Sequence, residues 1–386
     1  MTTAPATVDP ALRPIAEKLA AGQILSAADG MALFQSRDLH GVGRLANFVR
    51  DRLHGDNAYY NRNRHINYTN VCALSCKFCS FYRKRGEDGA YEMPVDQVVA
   101  TAKKAAETGA TEVHIVGGLH PWLKFDYYLD MLRGIRGECP QLHIKAFTAI
   151  EIIHFSRVAR LSIRDVLVAL REAGLGSLPG GGAEIFDDRV HDEVFKGKVR
   201  EDRWFEVHRT AHELGTYSNA TMLYGHVETP AERINHLIKL RELQRESLAS
   251  SPANFNCCIP LSFVPENSEL GFLPGPTGLA DLKTLAIARL MLHNIPHVKA
   301  FWIMQGIGLS QLALDWGCDD LDGTVVWYDI TKREGHGTVH QQFHVDDIKR
   351  LIREAGRVPV ERDTLYRPVV RDADDRAVPR PEPALV

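Results

Sequence analysis

The chain has 386 residues, with 46 Lys and Arg against 49 Asp and Glu, for a formal charge of −3. With 45% hydrophobic and 25% charged residues it has the make-up of a globular protein, which excludes a disordered or collagen-like chain. The near-even charge argues against a nucleic-acid binder, and no apolar run reaches the ~18 residues of a membrane-spanning helix.

The opening Met1-Thr-Thr-Ala-Pro5 has no basic region followed by an apolar one, so no secretory signal is expected. Apolar residues three or four apart predict helices over 11–21, 26–35 and 41–53, a helical lead-in that fills residues 1–58. From His65 onward strand and helix signals alternate. Strands are expected at 66–71, 113–116, 142–147, 218–223, 257–263, 298–303 and 324–327, with a weaker one at 176–179. Helices are expected at 94–108, 125–135, 163–173, 203–214, 230–248 and 279–292, several opened by Pro or closed by Gly. Eight strands alternating with helices predict an α/β fold, a parallel (β/α)8 barrel of TIM type over residues 59–330, with a doubly wound sheet as the alternative. A C-terminal extension at 331–370, with a helix near 345–355, is expected to pack on the barrel, and the Pro-rich tail 371–386 to be disordered.

Three of the seven cysteines, Cys72, Cys76 and Cys79, fall within eight residues. An odd count with this clustering points to a reduced, cytoplasmic protein with a metal site rather than a disulfide scaffold. Structural zinc takes four ligands and ferredoxin-type clusters take four thiolates, yet Cys139, Cys257, Cys258 and Cys318 offer no obvious fourth partner. Two readings stay open: zinc completed by one of the 17 histidines, or a four-iron cluster held by three thiolates with one iron left for a small chelating molecule.

Two glycine-rich segments follow predicted strands. Gly117 and Gly118 expose backbone where a ligand could approach, and Gly180-Gly-Gly182 leads to Glu184, either a ligand contact or a surface acid. Barrel chemistry sits at the C-terminal ends of strands, which draws attention to Arg62, Arg64, His65, Asn67, Thr148, Glu151, Asn219, Thr221, Tyr224, Ser262 and Gln305. Arg64 and Arg289 are candidates to grip a carboxylate, because a guanidinium matches it bidentately. His114, His226 and His297 read as structural. The Arg83-Lys84-Arg85 run reads as a solvated loop whose charge could help dock an acidic electron donor.

The Cys72-x3-Cys76-x2-Cys79 spacing, with Phe78 before the third cysteine, resembles the cysteine motif of the radical S-adenosylmethionine (SAM) superfamily. Asn67-Tyr-Thr-Asn-Val-Cys72, Gly117-Gly-Leu-His-Pro121 and Leu178-Pro-Gly-Gly-Gly-Ala-Glu184 resemble the clan of the futalosine- and deazaflavin-pathway enzymes. The stretches 274–294, 297–302, 322–324 and 359–366 are similar to the aminofutalosine synthase family of menaquinone biosynthesis. This resemblance implies a [4Fe–4S] cluster on Cys72, Cys76 and Cys79, with SAM as co-substrate against Phe78, Gly117, Gly118 and Glu184. It implies addition of the 5′-deoxyadenosyl radical to 3-[(1-carboxyvinyl)oxy]benzoate, then rearrangement and decarboxylation to 6-amino-6-deoxyfutalosine. Arg64, His65 and Arg289 are the candidate catalytic, substrate-orienting residues, and a flavodoxin- or ferredoxin-type protein the expected reductant; no nucleic-acid or membrane partner is expected. The siblings that remain as alternatives, dehypoxanthine futalosine cyclase and the deazaflavin-forming synthase, release free 5′-deoxyadenosine. A non-catalytic iron–sulfur or zinc protein is the alternative from another class.

Overall fold

The computed structural model describes residues 5, 7–195, 197–325, 330 and 342–378. Among the described residues nine strands occur, β1 (Asn57–Asn61), β2 (Asn63–Ile66), β3 (Glu112–Ile115), β4 (His143–Ala146), β5 (Ser218–Tyr224), β6 (Phe255–Ser262), β7 (His297–Val298), β8 (Asp320–Gly323) and β9 (Val358–Glu361). They form three parallel sheets ordered β8-β1-β9, β2-β3-β4 and β5-β6-β7.

Isolated parallel bridges join the sheets into a closed ring. Ser177 pairs with Lys145 and Leu178 with Ser218, which places the weak strand expected at 176–179 between β4 and β5. Lys299 pairs with Asp320 to link β7 to β8, and the His65 amide donates to the Val325 carbonyl at 2.9 Å to complete the circle. With β1 and β2 as one interrupted staff, the ring has eight positions, and the fold is the expected parallel α/β barrel. Helices on its outside carry apolar inward faces: Ile163–Ala173, for example, buries Val166, Leu167 and Leu170 and starts at a Ser162 cap that accepts from the Asp165 amide.

Several elements fall elsewhere than the sequence patterns suggest. The first strand ends at Ile66, where 66–71 was expected to be the strand, and residues 67–71 make only isolated bridges. Asn67 closes the ladder there by donating its amide to the Val116 carbonyl at 2.9 Å. The last barrel strand ends at Gly323, ahead of the expected 324–327, of which 326 and 327 lie outside the described residues. Beyond Val298 the apolar run expected as a strand turns into the helix Trp302–Gln305. A helix at Ala149–Ala159, not anticipated, starts from a reciprocal box in which Thr148 and Glu151 cap one another's backbone amides.

The lead-in helices Arg13–Ala20, Ala27–Gln35 and Leu39–His54 pack on the outer helices: Gly43 lies against Trp316, and Arg241 donates to the Leu25 carbonyl at 2.8 Å. The stopper at the N-terminal ends of the strands comes from the other terminus. Strand β9 pairs with β1, Arg362 Nε meets Asp320 at 2.8 Å, Thr364 donates to Glu112 at 2.7 Å, and Tyr366 stacks on His297 with centroids 3.5 Å apart. Residues 371–378, expected as disordered, are folded instead: Arg371 donates to Glu361 at 2.8 Å and Arg62 to Asp375 at 2.9 Å. Residues 331–341 and 379–386 lie outside the described residues.

Candidate active site

The open, C-terminal end of the barrel holds a cavity of ≈ 270 Å³. Cys72, Cys76 and Cys79 lie at its rim on the loop that follows β2. Backbone contacts fix this loop: the Cys72 amide donates to the Arg83 carbonyl at 3.0 Å, that of Ala73 to Leu119 at 2.8 Å and that of Lys77 to Val194 at 3.1 Å. The Lys84 ammonium gathers the carbonyls of Cys72 and Leu74 at 3.0 and 2.9 Å. Burial pushes the Cys76 thiol up to about 11 and raises that of Cys79 as well, so metal ligation there must release protons. The other four cysteines are buried away from the cavity lining.

Three thiols on one loop at the cavity, with no fourth cysteine among the described lining residues, supply the donor set of a four-iron cluster that is left one protein ligand short. A second group of potential ligands, His54, His297 and Asp319, lies at the opposite end of the barrel. Asp319 is ion-paired to Arg289 there, and His54 shares a 2.8 Å hydrogen bond with the Pro296 carbonyl.

Around the cysteines, Phe78 packs edge-on to Phe195 with centroids 5.2 Å apart, and the Lys198 ammonium lies 5.1 Å from the Phe78 ring centroid. Glu184 is buried and ion-paired to Lys198, which rules out the surface-acid reading. Burial pulls the Lys198 ammonium down, but the neighbouring Glu184 and Cys76 more than compensate and hold it above its usual range. Gly117 and Gly118 also line the cavity, and the Gly117 amide donates to Glu151 at 3.0 Å. Burial raises the Glu151 carboxyl to about 7 against the opposing pull of Thr148 and Tyr68.

Of the proposed orienting residues, His65 lines the cavity and the two arginines do not. Arg64 is in register with Val113 and Ile144, both fully buried, on the strand face opposite His65; the alternation of a strand turns it away from the barrel interior. Arg289 is fully buried, donates to the Gly317 and Pro296 carbonyls at 2.8 and 2.9 Å, and is bound to Asp319. It is a structural cation. Replacing it with Met should cost about 3–5 kcal/mol by removing the guanidinium from the buried Asp319, which keeps only His297 and the Val298 amide as hydrogen-bond partners. Thermal unfolding should show this loss, while the folded fraction keeps its substrate KM; a large rise in KM would contradict the assignment.

The charged lining that sequence patterns did not flag is Lys145 on β4, Lys198, Lys299 just after β7 and Asp322 on β8. For Lys145 and Lys299 a visible signal existed: each is a lone lysine inside an apolar strand run, Ile144-Lys145-Ala146 and Val298-Lys299-Ala300. His114, read as structural, stacks on His65 in the cavity wall with centroids 4.4 Å apart.

A closed parallel barrel with three cysteines at its open end defines a class, and comparisons with known proteins agree. The Radical SAM superfamily description matches residues 66–240, and the CofH/MqnC C-terminal region matches residues 255–374. An aminodeoxyfutalosine synthase of Thermus thermophilus is 47% identical over 365 residues, covering 94% of this chain and 96% of its own. A 5-amino-6-(D-ribitylamino)uracil–L-tyrosine 4-hydroxyphenyl transferase of Methanopyrus kandleri is 38% identical over 343 residues, covering 88% and 91%. The crystal structure of methylornithine synthase shares the fold with a TM-score of 0.71 at 18% identity, covering 89% of this chain and 96% of that one. The chain belongs to the radical SAM superfamily, in the family of the aminodeoxyfutalosine synthases. Enzymes of this superfamily use a [4Fe–4S] cluster and SAM. No helix among the described residues is long and apolar enough to cross a membrane.

Proposed function

We propose that this chain acts as an aminodeoxyfutalosine synthase, joining the 5′-deoxyadenosyl group of SAM to 3-[(1-carboxyvinyl)oxy]benzoate with loss of a carboxyl group to give 6-amino-6-deoxyfutalosine. The observation that carries this reading is the 47% identity to the Thermus synthase along nearly the whole of both chains. When bound, the cluster supplies the electron that splits SAM into methionine and the adenosyl radical.

The chain's own residues divide the remaining work. Cys72, Cys76 and Cys79 are the assigned cluster ligands, and Lys84, which ties the Cys72 and Leu74 carbonyls together, stiffens their loop. Phe78, Gly117, Gly118 and Glu184 are the assigned SAM contacts, with Lys198 holding Glu184 in place. Leu223, Ile259, Leu261 and Phe301 give the cavity an apolar wall that keeps water from a carbon radical. His65 faces the substrate. Residues 59–325 form the catalytic body and the segment from β9 to Tyr366 its stopper, in a reduced cytoplasmic protein served by an acidic one-electron donor of flavodoxin or ferredoxin type.

A second reading, the hydroxyphenyl transferase chemistry of the 38% identical relative, is separated by one assay. Reduced, reconstituted protein is incubated with SAM labelled in its adenosine and with each candidate substrate. The synthase places the label in a product larger than SAM's nucleoside. Stoichiometric free 5′-deoxyadenosine with no labelled adduct would refute the first reading and favour the second.

A further inference from the structure

We infer that the closed end of the cavity is an aryl-carboxylate subsite, in which Lys145 and Lys299, with the imidazoles of His65 and His114, receive the ring-borne carboxylate of the substrate and leave its enol-ether end facing the cysteine loop. The inference rests on the proposed substrate and fixes its direction in the barrel.

Register puts the groups at one level. His65 pairs with His114, and His114 with Lys145, across adjacent strands β2, β3 and β4. Lys299 comes from the far side of the ring, where it bonds Asp322 at 2.7 Å, two residues after its bridge partner Asp320. All of these except Asp320 line the cavity. Beneath them the Arg362, Thr364 and Tyr366 segment shuts the barrel, so this end has no exit.

The charge count is informative. Glu112, the 2.9 Å partner of Lys145, is not part of the lining and is engaged by Thr364 from below. Each lining ammonium thus has one acid partner, Glu112 for Lys145 and Asp322 for Lys299, so this level is balanced in charge and what it offers a ligand is hydrogen-bond donors. Each ammonium has three N–H donors, and one acid partner does not use them all. Burial holds His65 down to about 4 and His114 well below its usual range, so both rings are neutral and the charged donors at this level are those of the lysines. A carboxylate stripped of water needs such donors, and the apolar wall above suits the aromatic ring that follows it.

The test uses anaerobic holoenzyme and two ligand pairs. Calorimetry compares 3-methoxybenzoate with methoxybenzene. Turnover compares 3-[(1-carboxyvinyl)oxy]benzoate with 2-phenoxyacrylate, which lacks the ring carboxylate. The wild type should prefer the member of each pair that bears a ring carboxylate, and Lys145→Gln or Lys299→Gln should reduce that preference about 10–100-fold with little effect on the member that lacks it. Because Lys145→Gln strands Glu112, the paired variant Lys145→Gln with Glu112→Gln keeps the test valid if the single one fails to fold. Undiminished preference in the folded variants overturns the subsite, whether or not the labelled adduct forms. Lysine-dependent binding of 3-methoxybenzoate without any adduct upholds the subsite and instead rejects the synthase reading.

Discussion

Replacing Cys76 with Ala is expected to leave a folded chain that holds little or no [4Fe–4S] cluster and yields no adenosyl product. The effect should be this large because Cys76 is 8% exposed at the cavity rim and neither Cys72 nor Cys79 can substitute for it as ligand. Folding should survive because the loop is tied down by backbone rather than by the thiol. The amides of Cys72, Ala73 and Lys77 reach Arg83, Leu119 and Val194, and Lys84 grips two further carbonyls. Iron per chain and the iron–sulfur absorbance should fall to background while far-ultraviolet circular dichroism is unchanged. Cys139→Ala, made at a buried thiol outside the cavity, should keep full iron and lose about 1 kcal/mol of stability. A Cys76→Ala protein with wild-type iron would mean that the ligand set has been misassigned.

Gly118→Ala should damage the same site through the backbone. A Cβ on Gly118 would lie 2.4 Å from the Val71 carbonyl oxygen and 2.8 Å from its carbon, one residue ahead of Cys72. Neither atom is the end of a flexible side chain, and the Gly118 amide already donates to the Thr69 carbonyl at 2.8 Å. The chain must move, and the Cys72 segment moves with it. The expected cost is about 1–3 kcal/mol of overpacking, together with a marked drop in iron content. Gly137→Ala, at a helical glycine with nothing within 4 Å of its would-be Cβ, should be neutral or slightly stabilising. Full iron loading and turnover in Gly118→Ala would show that the close approach of Gly118 to Val71 is dispensable.

The barrel was legible because its signals are local. Pro230 at a first helical turn, the Ser26 cap and the Gly174 stop each act within a few residues. The errors came where a tertiary contact overruled a local pattern. Residues 67–71 look like a strand, but Asn67 spends its side-chain amide on Val116 and the ladder stops. The helix after Thr148 carries a Thr-x-x-Glu box, but Ala149-Ile-Glu-Ile-Ile-His-Phe is buried at nearly every position and so lacks the one-sided apolar stripe of a surface helix. At the site, the arginines drew attention through their fit to carboxylates, while the lysines that line the cavity stood in plain apolar strands.

By itself the sequence determined the cysteine triplet, the glycines beside it, the alternation of strand and helix and hence the family chemistry. All of these are carried by residues close together along the chain. Tertiary structure alone decided which charged groups face the reaction. The far end of the cavity is assembled from β2, β3, β4 and the segment after β7, and a strand shows alternate residues to opposite sides. A shift of one position in register would exchange His65 for Arg64, and no spacing within a single segment specifies that parity. Arg289 makes the same point from the other direction: its charge is consumed by Asp319, which lies 30 residues further along the chain and comes within reach only once the barrel has closed.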